Sequence, residues 1–327
     1  MENPTVCIGI DVSKATLDIC KLSSEGKQYY KIKNTPKAIA AFCAKLDASQ
    51  TIVAMENTGR YNWNLYGVLA DLPILVYVIH PLHLKQSMGM VRGKTDQLDC
   101  YRIARYIQRH YDELEPWKPE SPSIKHLKLL LTERRQLLKH RSRVKAAQKD
   151  YKLIDTLGYL RLAKKRDKRR LKDIAKDLKE VEAEIRQVIK ADSSLSELAE
   201  LLQSIPGVGP VLCWNLLAKT KGFSILTDPR KLACFAGVAP FQHESGTSIR
   251  RRPRVSTMAD KKLKTVLHMA AMRAVRVDPE LMAYYEKKVD QGKNKMLVLN
   301  AVRNKLIHRV CAVVRRQSPF QISLPVS

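Results

Sequence analysis

Apolar and polar positions alternate at the start of the chain. Val6, Ile8 and Ile10 interleave with Cys7 and Gly9, the period of two expected of a half-buried strand. Leu17 to Leu22 predicts a second strand and Lys27 to Lys33 a third. Thr35-Pro36 opens a helix that runs to about Leu46, with the threonine as cap and the proline in the first turn. Thr51 to Met55 and Ile74 to Ile79 are short apolar strands, and helices are predicted over 61–70 and 96–109. A three-strand meander followed by β-α units predicts a mixed α/β sheet covered by helices, placed in residues 1–115.

The pattern changes after the prolines at 116, 119 and 122, which make a stiff connector. Helix-forming residues then dominate a second segment, 116–203. Leu171, Ile174, Leu178, Val181, Ile185 and Val188 are spaced 3-4-3-4-3, an a/d seam. Gly158 and the basic run Lys164 to Arg170 separate that helix from an earlier one at about 123–156. The pair predicts an antiparallel helical hairpin or a dimerising coiled coil; the bland alternative is an amphipathic helix on a core. The third segment, 204–327, begins at Ser204-Ile205-Pro206-Gly207-Val208-Gly209-Pro210 and reads as short helical stretches.

Charge sharpens this division. The 327 residues carry a formal net charge of +27. Residues 1–110 hold +5, residues 111–203 hold +7 and residues 204–327 hold +15. Such an excess repels itself in a compact state unless a polyanion neutralises it, which makes nucleic acid the expected partner. A membrane span needs ~20 apolar residues. The longest apolar run, Leu72 to Ile79, has 8 and contains Pro73. Met1-Glu2-Asn3-Pro4 lacks the basic start and apolar stretch of a signal peptide. The 7 cysteines are scattered, odd in number and without a C-x-x-C, which argues against a disulfide framework or zinc knuckle and fits a reducing cytoplasm.

Four carboxylates stand where α/β sheets place their chemistry. Asp11 ends a strand on the face opposite Ile8 and Ile10, and Glu56 directly follows the strand 51–55. Asp96 and Asp99 are three apart at a helix start and share one face, behind Lys94 and a capping Thr95. Each alone reads as a turn or cap residue. As a set they can converge around two divalent ions ~4 Å apart, the arrangement for phosphoryl transfer, and oxygen ligands suit Mg²⁺, with Mn²⁺ as a substitute.

Ile205-Pro206-Gly207-Val208-Gly209 matches the hairpin of helix-hairpin-helix motifs, in which Gly207 and Gly209 permit a tight turn whose N–H groups face a phosphate. Pro210 removes one of those donors, and a plain helix connector is the alternative. Further on stands Glu244-Ser245-Gly246-Thr247-Ser248, followed by Arg250, Arg251, Arg252 and Arg254. A glycine-flanked serine beside arginines can approach a phosphate whose developing charge they stabilise. Composition by itself favours a polar loop, and Ser248 and Ser256 compete with Ser245 on spacing. His80 and His83 flank Pro81, which is expected to oppose the helix that would align them. Tyr61, Trp63 and Tyr66 read as core, and Tyr284-Tyr285 as packing.

In order along the chain, Gly9-Ile10-Asp11-Val12-Ser13-Lys14, Glu56-Asn57-Thr58-Gly59-Arg60-Tyr61, Lys94-Thr95-Asp96-Gln97-Leu98-Asp99, Ile205-Pro206-Gly207-Val208-Gly209 and Phe235-Ala236-Gly237-Val238-Ala239-Pro240 leading to Glu244-Ser245-Gly246 resemble the insertion-sequence transposases of the family numbered one-ten, with its eleven-eleven branch and the related pilin-gene inverting recombinases. The resemblance runs almost end to end. It implies a RuvC-like, ribonuclease-H-type domain with a metal set at Asp11, Glu56, Asp96 and Asp99. It also implies a coiled-coil segment and a mainly helical transposase domain with Ser245 as nucleophile. Further implied are a homodimer or homotetramer, donor and target duplex DNA as substrates, a structured noncoding bridge RNA as guide, and a cytoplasmic, nucleoid-associated location. Two other readings stay open: a junction-resolving nuclease that uses water, and a non-catalytic nucleic-acid-binding protein.

Overall fold

The computed structural model describes residues 4–57, 59–87, 95–155, 157–245 and 249–321, with the backbone alone at 60, 152, 242–245 and 249–253. The chain divides into two compact units, Met1–Pro119 and Glu120–Ser327.

The first unit is built on a five-stranded sheet. β1 (Val6–Val12), β2 (Thr16–Ser23) and β3 (Gly26–Lys33) form an antiparallel meander. α1 (Pro36–Cys43) follows, capped by the Thr35 hydroxyl, which accepts from the Ala38 N–H. β4 (Thr51–Glu56) pairs parallel to β1, α2 (Trp63–Leu69) crosses back, and β5 (Leu75–Ile79) pairs parallel to β4. α3 (Pro81–Ser87) and α4 (Asp96–His110) complete the unit. The strand order is β3-β2-β1-β4-β5.

Alternation along the strands gives the sheet two dry faces. Ile8, Ile10, Leu17, Ile19, Val53 and Met55 pack against Ile39 and Cys43 of α1 and Leu65 and Leu69 of α2. The opposite face carries Cys7, Ile52, Ala54 and Tyr77 under Ile103 and Ile107 of α4, and Cys20 under Cys100 and Ala104. Edge strand β3 is exposed along most of its length and carries Lys27, Lys31 and Lys33, charges that discourage pairing with another sheet. The α3 helix departs from the expectation for Pro81. The proline occupies the first helical position, where its missing N–H has no intrahelical partner to lose.

The second unit is largely helical. α5 (Pro122–Ile154) and α6 (Arg161–Ala191) run antiparallel and are tied by Arg134–Glu182 at 2.7 Å and His126–Glu184 at 3.0 Å. In the turn between them, Asp155 accepts from the Leu160 N–H and from Lys164. The seam is Leu178, Val181, Ile185 and Ile189, all buried. Ile189 is the more buried residue at its end and Val188 packs only partly buried beside it, because an α-helix repeats at 3.6 residues, not 3.5. α7 (Ser193–Gln203), α8 (Pro210–Thr220), α9 (Pro229–Phe235), α10 (Lys261–Val277), α11 (Pro279–Asp290) and α12 (Lys295–Arg316) close around a core that includes Leu202, Ile205, Trp214, Leu267 and Leu306. Asp192, Asp228, Asp260 and Asp278 cap four of these helices through their side chains.

One element is a departure from the expected helical stretches: β6 (Pro240–Ser245) and β7 (Ile249–Val255) form an antiparallel hairpin. Gln242-His243-Glu244 and Arg250-Arg251-Arg252 show no alternation of apolar and polar positions, so strand periodicity was not legible there.

Candidate functional site

The parallel register of β1 and β4 aligns Ile10 with Met55, so Asp11 and Glu56 lie one step further along adjacent strands, on the α4 side of the sheet. Asp18 of β2 stands opposite Asp11 and is 8% exposed. α4 begins above these strands. Thr95 caps it, accepting from the Leu98 N–H at 3.3 Å, and Asp96 and Asp99 occupy its first turn. Gly9 permits this approach. A Cβ there would lie 2.2 Å from the Cys100 carbonyl oxygen and 2.3 Å from the Ala104 nitrogen.

The electrostatics register the crowding. Burial pushes the Asp11 carboxyl above the ordinary range, and the charges of Asp99, Asp96, Glu56 and Asp18 push it further. Two cations answer part of this charge. Arg102 donates to Asp99 at 2.8 Å, and Lys31 lies 3.2 Å from Asp18 and 3.9 Å from Asp96. The four expected acids therefore share one face and sense one another. Among the described residues, however, no three Asp, Glu, His or Cys side chains are gathered closely enough to chelate an ion. The donors are hard carboxylate oxygens around a partly buried acid with surplus negative charge, a set that fits Mg²⁺ or Mn²⁺. Sequence reasoning missed Asp18 and Lys31. An aspartate inside the otherwise apolar Leu17-Asp18-Ile19 was the available signal.

In the second unit, the backbone places Ser245 at the end of β6, across from Ile249, with Glu244 across from Arg250 and His243 across from Arg251. Gly246, Thr247 and Ser248 lie outside the described residues, as does Lys94 in the first unit. Arg252 lies in β7, and Arg254 is exposed there, across from Phe241. Gly207 and Gly209 lie in the connection between α7 and α8. Gly207 has φ +88°, and a Cβ on it would sit 2.5 Å from that of Ala274, so close packing on α10 already requires the glycine. Gly209 caps α8 without a side-chain bond, and Pro210 is at the first helical position. An apolar cleft of about 520 Å³ opens beside this turn, lined in part by Val211, Met269 and Arg273.

An acidic face on a mixed sheet in one unit, and a basic, mostly helical second unit, define a nucleic-acid-processing protein. Residues 8–151 match the family model described as transposase, of the DEDD type of IS110, and residues 199–286 match that described as transposase of the IS116/IS110/IS902 family. Two relatives match along nearly their whole length. The pilin gene-inverting protein of Moraxella bovis is 28% identical over 96% of this chain and 97% of its own. The transposase for insertion sequence element IS1111A of Coxiella burnetii is 23% identical over 96% of this chain and 91% of its own. An insertion element IS900 protein of Mycobacterium paratuberculosis is 28% identical over 45% of this chain and 38% of its own. The chain belongs to the IS110 family of insertion-sequence transposases, whose role is the enzymatic rearrangement of DNA. Among the described residues no helix is long and apolar enough to cross a membrane.

Proposed function

We propose that this protein is a recombinase that cuts and rejoins DNA through a phosphoserine intermediate, with a RuvC-like first unit that holds Mg²⁺ or Mn²⁺. The observation that carries the metal half is the crowding of Asp18, Glu56, Asp96 and Asp99 around a partly buried Asp11. Asp11, Glu56, Asp96 and Asp99 would hold the ion, which when bound supplies positive charge to a scissile phosphate. The serine half rests on the family match over 199–286 and on the arginines paired across the hairpin from the end of β6.

In this reading the Ser245 Oγ attacks phosphorus. A serine–phosphate bond replaces the bond to a deoxyribose oxygen, and that oxygen departs as a hydroxyl, its gained proton balancing the one serine gives up. A deoxyribose hydroxyl of another strand then attacks the phosphoserine, restores the serine and closes a new phosphodiester. The arginines of β7 would steady the charge that develops on the phosphoryl oxygens.

A bridge RNA as guide, and assembly as a homodimer or homotetramer, belong to the same proposal. The charge of +27 accommodates a load of RNA and DNA together. At the turn of the α5–α6 hairpin, Leu153, Ile154, Leu157, Tyr159 and Leu162 are all at least 65% exposed, an apolar surface that a partner copy would cover. Incubation with co-purified RNA and matched donor and target DNA is expected to yield covalent protein–DNA adducts. Their persistence in Ser245→Ala would overturn the serine role. Hydrolysed ends without adducts would return the reading to a water-using nuclease.

A further inference from the structure

The second unit contains an arginine that no described neighbour neutralises. Arg303 of α12 is 6% exposed. It donates to the Asn300 Oδ1 at 3.3 Å and to the His268 Nδ1 at 2.8 Å, both uncharged acceptors. Among the described side chains no carboxylate pairs with it, and its buried Nε–H meets no acceptor. A guanidinium does not shed its charge, so burial without an anion is unfavourable and calls for an anion that arrives.

Two more donors stand with it. Arginine can only donate, so the His268 Nδ1 accepts and the ring proton resides on Nε2. Lys264, one turn earlier on α10, is half-buried and has no ion-pair partner among the described residues. Burial, and next the Arg303 charge, push both the Lys264 ammonium and the His268 imidazolium below their ordinary values, which locates all three within electrostatic reach. The cluster lies at the turn that feeds β6. Asn300 donates to the Val238 carbonyl at 2.8 Å, and the Lys264 Cδ lies 3.6 Å from where a Cβ on Gly237 would stand.

We propose that Arg303, Lys264 and His268 form a binding subsite for a backbone phosphodiester of nucleic acid at the foot of the β6–β7 hairpin. An arginine fork beside an ammonium suits phosphate oxygens. Ser245 is five residues further along β6, about 16 Å at ~3.3 Å per residue. The subsite therefore grips a different phosphate of the strand from one that meets the serine, and anchors it. This rests on the chain's handling of nucleic acid and not on Ser245 being the nucleophile.

The test uses the full chain, a labelled duplex DNA of random sequence and a labelled RNA, with affinity followed by fluorescence anisotropy as salt is raised. Arg303→Met and Lys264→Gln are each expected to weaken binding about tenfold and to lower the log–log salt slope on duplex by about 0.9, the loss of one phosphate contact. A change on DNA alone, on RNA alone or on both supports the subsite and says which strand it holds. A purely structural role would lower the melting temperature and leave the slope at the wild-type value, and that result overturns the proposal. Should Arg303→Met fail to fold, Lys264→Gln decides by the same slope. A reduced slope in Lys264→Gln alongside a wild type that forms no adducts would sink the serine reading and leave the subsite standing.

Discussion

Replacing Gly9 by alanine is the smallest change that should disable the acidic face. The added Cβ would lie 2.2 Å from the Cys100 oxygen and 2.3 Å from the Ala104 nitrogen, both backbone atoms of α4. An ordinary non-bonded contact is ~3.5 Å, so helix and strand must part by roughly 1.2 Å. A flexible side chain could turn aside, but a helix backbone can only move as a body, and Asp96 and Asp99 move with it. Overpacking of this kind costs about 1–3 kcal/mol, and the rigid contact places Gly9→Ala at about 3. For a unit of this size that is a fall of roughly 10 °C in the midpoint of its thermal transition. Displacement of catalytic groups by ~1 Å costs about 100-fold in rate. Differential scanning calorimetry of the full chain, followed by strand cleavage at a temperature where the variant is folded, measures both. Gly67→Ala is the control. Gly67 lies inside α2 with nothing within 4 Å of its added Cβ, so the change should be neutral or stabilise by up to about 1 kcal/mol. A Gly9→Ala protein that melts with the wild type and cleaves at full rate refutes the claim that Gly9 sets the height of α4. One whose activity falls only in step with its folded fraction refutes the link from that height to the chemistry.

Two further outcomes are expected. Asp11→Asn should melt higher than the wild type in metal-free buffer while losing both activity and stabilisation by added Mg²⁺. The folded-state pKa of Asp11 is raised above the unfolded value by burial and four neighbouring carboxylates, so its ionisation weakens the fold. The penalty is absent below the unfolded value, near ~3.9, and grows as pH rises toward the folded value, so calorimetry should show the two proteins diverging over that window. Asp278→Ala should destabilise the second unit by about 3–5 kcal/mol in a denaturant titration, since Asp278 is 2% exposed, caps α11 at the Leu281 N–H and pairs with Arg309, whose charge would lose its principal partner. A loss under 1 kcal/mol would show that Glu280, 2.6 Å from Arg309, takes over the pairing.

The first unit was legible because its strands are buried on one or both faces. Val6, Ile8 and Ile10 mark one packed face of β1, and Thr35-Pro36 and Thr95 state where helices begin. Asp11, Glu56, Asp96 and Asp99 were legible as a group because each follows or opens such an element. Asp18 was not, since its meaning comes from standing across from Asp11, a pairing between strands that local pattern does not carry. Arg303 was missed for a related reason. On α12 it reads as one of many basic residues, and only the fold buries it and, among the described residues, withholds a carboxylate. The β6–β7 hairpin was illegible because apolar and polar residues do not alternate along its strands in the sequence.

Among the described acids, like charges that favour a metal are met by cationic side chains. Like carboxylates without a cation between them repel, and the cheapest relief is for each to turn toward whatever positive group is in reach. Asp99 turns to Arg102 and Asp18 to Lys31, with Asp96 at the margin of the same ammonium. Lys31 is mostly exposed on the edge strand, so that bond is weak and readily given up, whereas Arg102 is largely buried with Asp99 and is the firmer competitor. An ion that recruited Asp99 would have to displace a guanidinium, and metal affinity would be set by that exchange as much as by the number of oxygens. Phosphate adds to the argument, because a DNA strand approaching five carboxylates is repelled until an ion stands between them. An ion would offset the repulsion between the carboxylates and the strand's phosphates, and phosphate oxygens would add to the ion's ligands, so the affinity for Mg²⁺ should rise when nucleic acid is bound.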